Sequence, residues 1–151
     1  MRDNIYLENL LYDIWENHFS DIPRLNLVSI RYGKHAKRQL GSIKLIKDRK
    51  TFERYAKEHK TDKNIYDNPS VSLITVTRYF SYDHIPEYVV KSTIAHELCH
   101  YSHGFSSPLK KKYKYPHQGG IVKKELKKRE LFDLYKDSKE WISKHWLEVI
   151  S

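Results

Sequence analysis

The segment from Pro86 to Gly104 limits the possible folds of this chain more than any other, because its pattern predicts one long buried helix. Proline is favoured in the first turn of a helix and glycine just beyond the last, so these residues mark the ends of about five turns. Between them Val90, Ile94 and Leu98 recur at every fourth position and form an apolar face. Such a helix is stable only against other elements, so it predicts a domain whose core is built around it.

Three β-strands are predicted upstream of this helix. Residues 25–34 and 40–48 are short runs rich in β-branched side chains, and the basic turn between them predicts a hairpin. Residues 71–80 alternate apolar and polar side chains, as a half-buried strand does.

Apolar residues at intervals of three and four predict helices at both ends of the chain. These helices cover residues 4–19, about 119–129 and about 137–149, and the polar stretch 49–70 predicts a short helix from Thr51. The predicted fold class is therefore α+β. It has an amphipathic N-terminal helix, a small antiparallel or mixed sheet of at least three strands, the long helix and C-terminal helices.

Length and composition narrow the class of protein. The chain has 151 residues, of which 39% are hydrophobic, which suits a single domain over residues 1–151. No run approaches the roughly 18 apolar residues of a membrane span, and the N-terminus lacks the basic-then-apolar order of a signal peptide. We therefore expect a soluble intracellular protein that does not contact a membrane.

The long helix carries two histidines and a glutamate in a pattern suited to metal-dependent hydrolysis. His96 and His100 are four residues apart and project from the same face, so both imidazoles can reach one cation. Glu97 is rotated by about 100° from His96 and can contact a water on that cation without ligating it. The only cysteine, Cys99, is expected in the core, so histidine and carboxylate must hold the metal. This HExxH motif predicts one zinc ion that activates a water, with Glu97 as general acid and base.

Zinc held by two imidazoles needs a third protein ligand, and the sequence contains three candidates. His103 lies seven residues after His96, about 10 Å further along the helix, which is too far for one ion. It also stands where the metzincin pattern has glycine, and Ser106 stands where that pattern has its third histidine. His117, which precedes the next helix, and Glu125, which lies within it, both remain open on spacing alone.

Other side chains near the motif have candidate roles beside metal binding. Tyr101, Tyr113 and Tyr115 each carry a phenol that could stabilise an oxyanion. His103 is expected to cap the end of the long helix, and the alternative is that it contacts substrate. These roles depend on which side chains the fold brings into the site.

The positive charge of the chain is concentrated after the long helix. The formal net charge is +9, and residues 105–130 hold nine Lys or Arg against two Glu. Lysines and tyrosines are interleaved in one short loop: Lys110, Lys111, Lys112, Tyr113, Lys114 and Tyr115. Lysines neutralise phosphates while aromatic rings stack on unpaired bases, a combination suited to single-stranded DNA. The pattern therefore predicts DNA binding beside the metal site, and a solvated basic surface is the alternative.

Two segments together resemble the SprT-like metallopeptidases. They are "PEYVVKSTIAHELCHYSHG" at 86–104 and "PHQGGIVKKELKKREL" at 116–131. The second segment follows a loop and contains a further histidine with glycines shortly after it. With the upstream helix and strands, the resemblance covers about residues 5–131. It implies a zinc endopeptidase with the ligands His96, His100 and His117 and with Glu97 as general acid and base. Spartan members of this family act on DNA-bound and DNA-crosslinked proteins, which implies a role in the repair of DNA–protein crosslinks.

Two other functions fit the sequence. The first is a nucleic-acid-binding protein whose zinc is structural and whose working surface is "LKKKYKY" at 109–115. The second is a small gluzincin-type peptidase with Glu125 as third ligand and no role on DNA. A catalytic zinc keeps one open position, whereas a structural zinc is closed by four protein ligands, so coordination separates these functions. For a peptidase, we expect the substrate to add as a strand to the edge of 71–80.

Overall fold

In a computed structural model, which describes residues 1–58 and 63–151, the chain has the α+β fold expected from its sequence. The described residues form five α-helices and a three-stranded mixed sheet. The helices are α1 (Asn4–His18), α2 (Arg49–Glu58), α3 (Glu87–Ser102), α4 (Ile121–Lys128) and α5 (Phe132–Ile150), and the strands are β1 (Leu27–Tyr32), β2 (Gly41–Ile46) and β3 (Val71–Val76). The short helix predicted within 49–70 is confirmed as α2, and residues 59–62 of that stretch lie outside the described part. No helix in the described part is both long and apolar enough to cross a membrane.

β3 is the central strand of the sheet, so the predicted hairpin is wrong. β1 runs parallel to β3 along one edge, and β2 runs antiparallel to β3 along the other. The eight-residue connection from β1 to β2 is longer than ordinary hairpin loops and passes the end of β3. There Gly33 N donates to Val76 O, and Thr77 N donates to Leu40 O, both at 2.8 Å. The central position buries Val71 and Val76 completely, whereas β2 at the edge is at most half-buried.

The core forms where α1 and α3 pack against each other and against the sheet. α1 begins after Asp3, whose carboxylate accepts a hydrogen bond from Tyr6 N at 2.9 Å and so caps the helix. α3 buries Ile94, Leu98 and Cys99, which confirms the expected core position of the cysteine. The apolar face of α3 is thus held in the core while another face remains available to a site.

A buried polar network connects the sheet to the end of α3. Asn26 Nδ2 donates to Ser70 Oγ at 3.1 Å and to Ser72 Oγ at 2.9 Å, and Tyr101 OH donates to Asn26 Oδ1 at 2.8 Å. Ser72 Oγ in turn donates to the backbone oxygen of Ser106 at 2.6 Å. The buried Asn26 and Tyr101 thus fix the end of α3 to the central strand, and the partly buried hydrogen bond from Ser72 attaches the loop that follows.

The C-terminal helix is longer than predicted and packs against α3. It begins at Phe132 rather than near residue 137, because Glu130 adopts a left-handed conformation (φ 62°) after α4 and turns the chain directly into α5. Trp146 Nε1 donates to Lys37 O at 2.7 Å, which ties α5 to the connection between β1 and β2. α5 is therefore positioned by both α3 and the connection between β1 and β2.

Candidate metal centre

Three histidine rings meet beside α3. His96 and His100 lie one turn apart on one face of the helix, with ring centroids 4.7 Å apart. His117 comes from the loop before α4, and its ring centroid lies 5.4 Å from that of His96 and 4.7 Å from that of His100. Each ring offers a nitrogen within 4.8 Å of the others. The structure therefore brings together the three histidines that the SprT-like resemblance implies as ligands.

One pair of ring nitrogens in the cluster has a spacing that suits two ligands of one zinc ion. Nε2 of His96 and Nε2 of His117 are 3.2 Å apart. Zn–N bonds of about 2.0–2.1 Å in a tetrahedral site place the ligand nitrogens about 3.3 Å from one another. Burial, followed by the proximity of His117, lowers the pKa of His96 to about 4, and burial with the adjacent rings lowers that of His100 to about 3. Both imidazoles are therefore neutral at neutral pH, as metal binding requires.

Two buried polar atoms at the cluster lack a partner in the described part of the chain. They are Oε2 of Glu97 and Nδ1 of His100. Buried polar atoms in native proteins are nearly always hydrogen-bonded, so such exceptions point to an ion or a water that would satisfy them. The residues present thus fit a bound metal.

Glu97 lies in the same cleft as the histidines and is almost completely buried. Burial raises the pKa of its carboxyl group to about 7. β2 approaches α3 closely at this point, because a Cβ on Gly41 would lie 2.5 Å from Cγ2 of Thr93 and 3.6 Å from Cγ of Glu97. Only glycine permits this approach without displacement of a neighbour, so Gly41 sets the distance between the edge strand and the carboxyl group.

Glu125 lies outside the histidine cluster and has partners of its own. His103 Nε2 lies 2.8 Å from its Oε1, and Arg129 Nε donates to its Oε2 at 2.8 Å. The hydrogen bond to His103, together with the Arg129 guanidinium, lowers the pKa of Glu125 to about 2. Arg129 also bridges to Asp21, at 2.6 Å and 3.2 Å from the two carboxylate oxygens. The structure thus brings His117, and not Glu125, to His96 and His100.

His103 stands at the C-terminal end of α3, as expected. Its side chain is completely buried against Glu125, so contact with substrate is excluded. This buried pair joins α3 to α4, and α4 begins four residues after His117. Gly119 (φ 52°) and Gly120 (φ 71°) make the turn between them in a left-handed conformation that favours glycine. The glycines and the buried pair together determine where His117 lies.

An open cleft of about 710 Å³ surrounds the cluster. One face of α3 lines it, from Ser92 to His100, and the loop after α3 adds Phe105 and Ser106. The edge strand and the connection before it contribute Arg38 to Ile43. A cleft bordered by an edge strand can accept an extended peptide.

The C-terminal helix also lines the cleft, although no motif in the sequence predicted this. Its contribution is Tyr135, Ser138, Lys139 and Ile142. These positions are spaced by three, four and seven residues and so form one helical face. That spacing was the available signal, but Tyr135 lies two residues before the predicted beginning of the helix at residue 137.

The basic loop extends from the end of α3 to His117. Its six residues Lys110, Lys111, Lys112, Tyr113, Lys114 and Tyr115 are all exposed. Lys112 N donates to His103 O at 2.9 Å, and Nζ of Lys111 lies 5.4 Å from the ring centroid of Phe105, which lines the cleft. The loop therefore borders the candidate metal centre.

The three tyrosines considered for an oxyanion lie away from the cleft lining. Tyr101 is buried and donates to Asn26 in the core. Tyr113 packs edge-on against His103, with ring centroids 4.9 Å apart, and Tyr115 is exposed. Tyr135 of α5 is the tyrosine among the residues that line the cleft.

No family model, no curated protein and no solved structure matches this chain. The resemblance to the SprT-like peptidases therefore stays a prediction from motifs and element order. The interpretation of the site depends on its own residues: three imidazoles, a buried carboxyl group and an open cleft.

Proposed function

We propose that this protein is a zinc-dependent endopeptidase that hydrolyses extended segments of protein substrates. The observation that carries the proposal is the meeting of three imidazoles, two of them with Nε2 atoms 3.2 Å apart, beside the buried carboxyl group of Glu97 in an open cleft. A structural zinc is closed by four protein ligands. The described residues form a cluster of three histidines on the cleft, which favours a catalytic ion over a structural one.

The residues of the site divide the chemistry between them. A zinc ion held by three imidazoles supplies an open position where the pKa of a water falls toward about 7. His96 and His100 would hold the ion from α3, and His117 would complete the set from the loop. Glu97 takes a proton from the attacking water and delivers it to the departing amine. A carboxyl group whose pKa burial raises to about 7 can accept and release a proton near neutral pH.

The substrate strand pairs with β2 in this proposal. The expected pairing with 71–80 is wrong, because β3 has β1 on one edge and β2 on the other. Leu40 O accepts a hydrogen bond from Thr77 N, so alternation along the ladder turns the backbone groups of Gly41 and Ile43 away from β3. Ile43 O already accepts a hydrogen bond from Ser106 Oγ at 3.2 Å. Gly41, which lies against Glu97, therefore offers the pairing groups nearest the reaction.

Removal of the metal should stop proteolysis. The zinc-loaded protein should digest an unfolded protein such as casein, and a chelator should reduce digestion to background. Addition of about one equivalent of zinc should restore it, because the site has one set of three ligands. Magnesium and calcium should fail to do so, since both prefer oxygen ligands. Gel analysis of casein fragments measures the effect, and digestion that is insensitive to chelation would exclude the proposal.

The substrates we propose are proteins associated with DNA. The lysines of the basic loop are exposed, and the loop borders the cleft, so a bound strand would hold its attached proteins near the site. Tyr115 is 59% exposed, and its ring is available to stack on a base. The ring of Tyr113 already packs against His103, which leaves less of it free for a base. Stacking on exposed rings favours single strands over duplexes.

Reversal of the loop charge should abolish DNA binding. Changing Lys110, Lys111, Lys112 and Lys114 to Glu should eliminate binding of a labelled single-stranded oligonucleotide in fluorescence anisotropy titrations. For the wild type, the logarithm of the binding constant should fall with the logarithm of salt by about 0.7 per phosphate contact. The matched control changes the exposed lysines Lys34, Lys47, Lys50 and Lys57 to Glu and should retain binding. Equal losses in both variants would show a nonspecific effect of net charge and contradict the assignment of the loop.

A further inference from the structure

We propose that the cleft selects peptide segments with an acidic side chain beside the scissile bond, and that Arg38 and Lys139 are the specificity-determining residues. This inference rests on the proposed peptidase function and names its substrate class. It concerns the walls of the cleft and is independent of the basic loop.

Positively charged side chains predominate on the walls of the cleft. Arg38, from the connection between β1 and β2, and Lys139, from α5, both line the cleft and are both exposed. Neither forms an ion pair with a carboxylate in the part of the chain that the structure describes. Among the described residues that line the cleft, Glu97 is the only acidic one, and it is buried at the histidine cluster. The walls therefore present positive charge to whatever enters.

The two cations are carried by elements that are joined to each other. Lys37, the neighbour of Arg38, accepts a hydrogen bond from Trp146 Nε1 of α5 at 2.7 Å, and Trp146 is buried. The helix that carries Lys139 is thus attached to the segment that carries Arg38. Since both segments are fixed, a substrate in the cleft meets both cations without a rearrangement of the backbone.

The side chains of a peptide paired with β2 would lie close to the positive charges of the cleft walls. Side chains of an extended strand alternate between two directions, so those on either side of the scissile bond face different parts of the cleft. Leu40, Ile43 and Ile142 offer apolar contacts to one side chain. An acidic neighbour would be attracted by Arg38 and Lys139, whereas a lysine or arginine would be repelled. The expected substrate therefore has an acidic residue next to an apolar one.

Matched peptides test this preference. Three quenched-fluorescent peptides share one apolar cleavage site and differ only in flanking residues, which are glutamate, glutamine or lysine. The zinc-loaded wild type should cleave the glutamate peptide with a kcat/KM about threefold to tenfold above that for glutamine, the range expected for one or two exposed ion pairs. The lysine peptide should be the poorest substrate, and the differences should shrink as salt rises.

A double charge reversal, Arg38→Glu with Lys139→Glu, should invert the order, so that the lysine peptide becomes better than the glutamate peptide. Zinc content measured by elemental analysis should stay at the wild-type value. The control, Lys37→Glu with Lys136→Glu, changes two exposed neighbours outside the cleft lining by the same total charge and should keep the wild-type order.

Each outcome separates the inference from the proposed function. Equal cleavage of the three peptides, or an order that the double reversal leaves unchanged, overturns the inference while the peptidase function stands. No cleavage of any peptide by the zinc-loaded protein overturns both. Loss of oligonucleotide binding by the double reversal with no change in peptide order would assign the two cations to phosphates instead and overturn the inference.

Discussion

Replacing Glu97 by glutamine should abolish peptide-bond hydrolysis while the protein keeps its fold and its zinc. Glutamine has the same shape, but its amide cannot take the proton of the attacking water. General acid and base catalysis contributes about 10²- to 10⁴-fold, so kcat/KM should fall at least about a hundredfold. Oε2 of Glu97 has no hydrogen-bond partner among the described residues, so an amide nitrogen in its place breaks no hydrogen bond within the protein. Peptide cleavage rates, zinc content and thermal unfolding measure the three expectations.

The matched control is Glu87→Gln, in the first turn of the same helix and outside the cleft lining. It removes the same charge from α3 and should retain activity. If Glu97→Gln keeps its zinc and still cleaves peptides at a rate near that of the wild type, another group is the base. The roles proposed for the site would then be wrong even if the metal ligands are right.

Local features of this fold could be predicted from the sequence because short-range geometry determines them. The four-residue spacing of His96 and His100 places both on one face of a helix, whatever surrounds it. Pro86 and Gly104 indicated the ends of that helix to within two residues of Glu87–Ser102. The apolar repeats likewise predicted α1 and the buried side of α3. These inferences need no knowledge of distant contacts.

Long-range features were harder to predict, because they depend on pairings that leave no local signal. The parallel pairing of β1 with β3 joins residues such as Leu27 and Val71, which are far apart in the chain. A hairpin between adjacent strands was the simpler expectation, and the burial of β3 at the centre overrides it. Lys139 lines the cleft only because α5 packs along α3, and no motif marks it.

The third histidine lies between these two cases. Its spacing from His100 left Glu125 as an alternative, and the resemblance implied His117. In the structure, a buried contact of His103 with Glu125 attaches α4 to α3, and the left-handed Gly119 and Gly120 direct the chain from His117 into α4. Glu125, the alternative ligand, therefore helps to position His117 through its contact with His103.

Replacing His117 by alanine should remove most of the bound zinc, whereas replacing Glu125 should not. Loss of one of three ligands should weaken zinc binding by more than about a hundredfold, since mutation of a residue that only orients a ligand already lowers metal affinity 10- to 100-fold. His117 is exposed, so the metal-free variant should unfold at the temperature of the metal-free wild type. Zinc should raise the unfolding temperature of the wild type and fail to raise that of His117→Ala. Elemental analysis and thermal unfolding with and without zinc measure these effects.

The comparison with Glu125 distinguishes a ligand from a structural residue. Glu125→Ala removes the buried partner of His103 and one of the two carboxylates that pair with Arg129. Because Arg129 keeps Asp21, the variant should lose about 3 kcal/mol of unfolding free energy, the lower end for a broken buried ion pair. Because its pKa is lowered from 4.5 to about 2, the carboxylate contributes stability that is fully present above pH 4.5 and is lost as pH falls through about 2. The difference in unfolding free energy between the wild type and Glu125→Ala should therefore shrink over that interval. If the alanine variant does not fold, Glu125→Gln, which keeps a hydrogen-bond acceptor, provides the zinc measurement. Zinc lost with Glu125 and retained without His117 would replace the three-histidine site by a carboxylate-ligated one and remove the basis of the SprT-like resemblance.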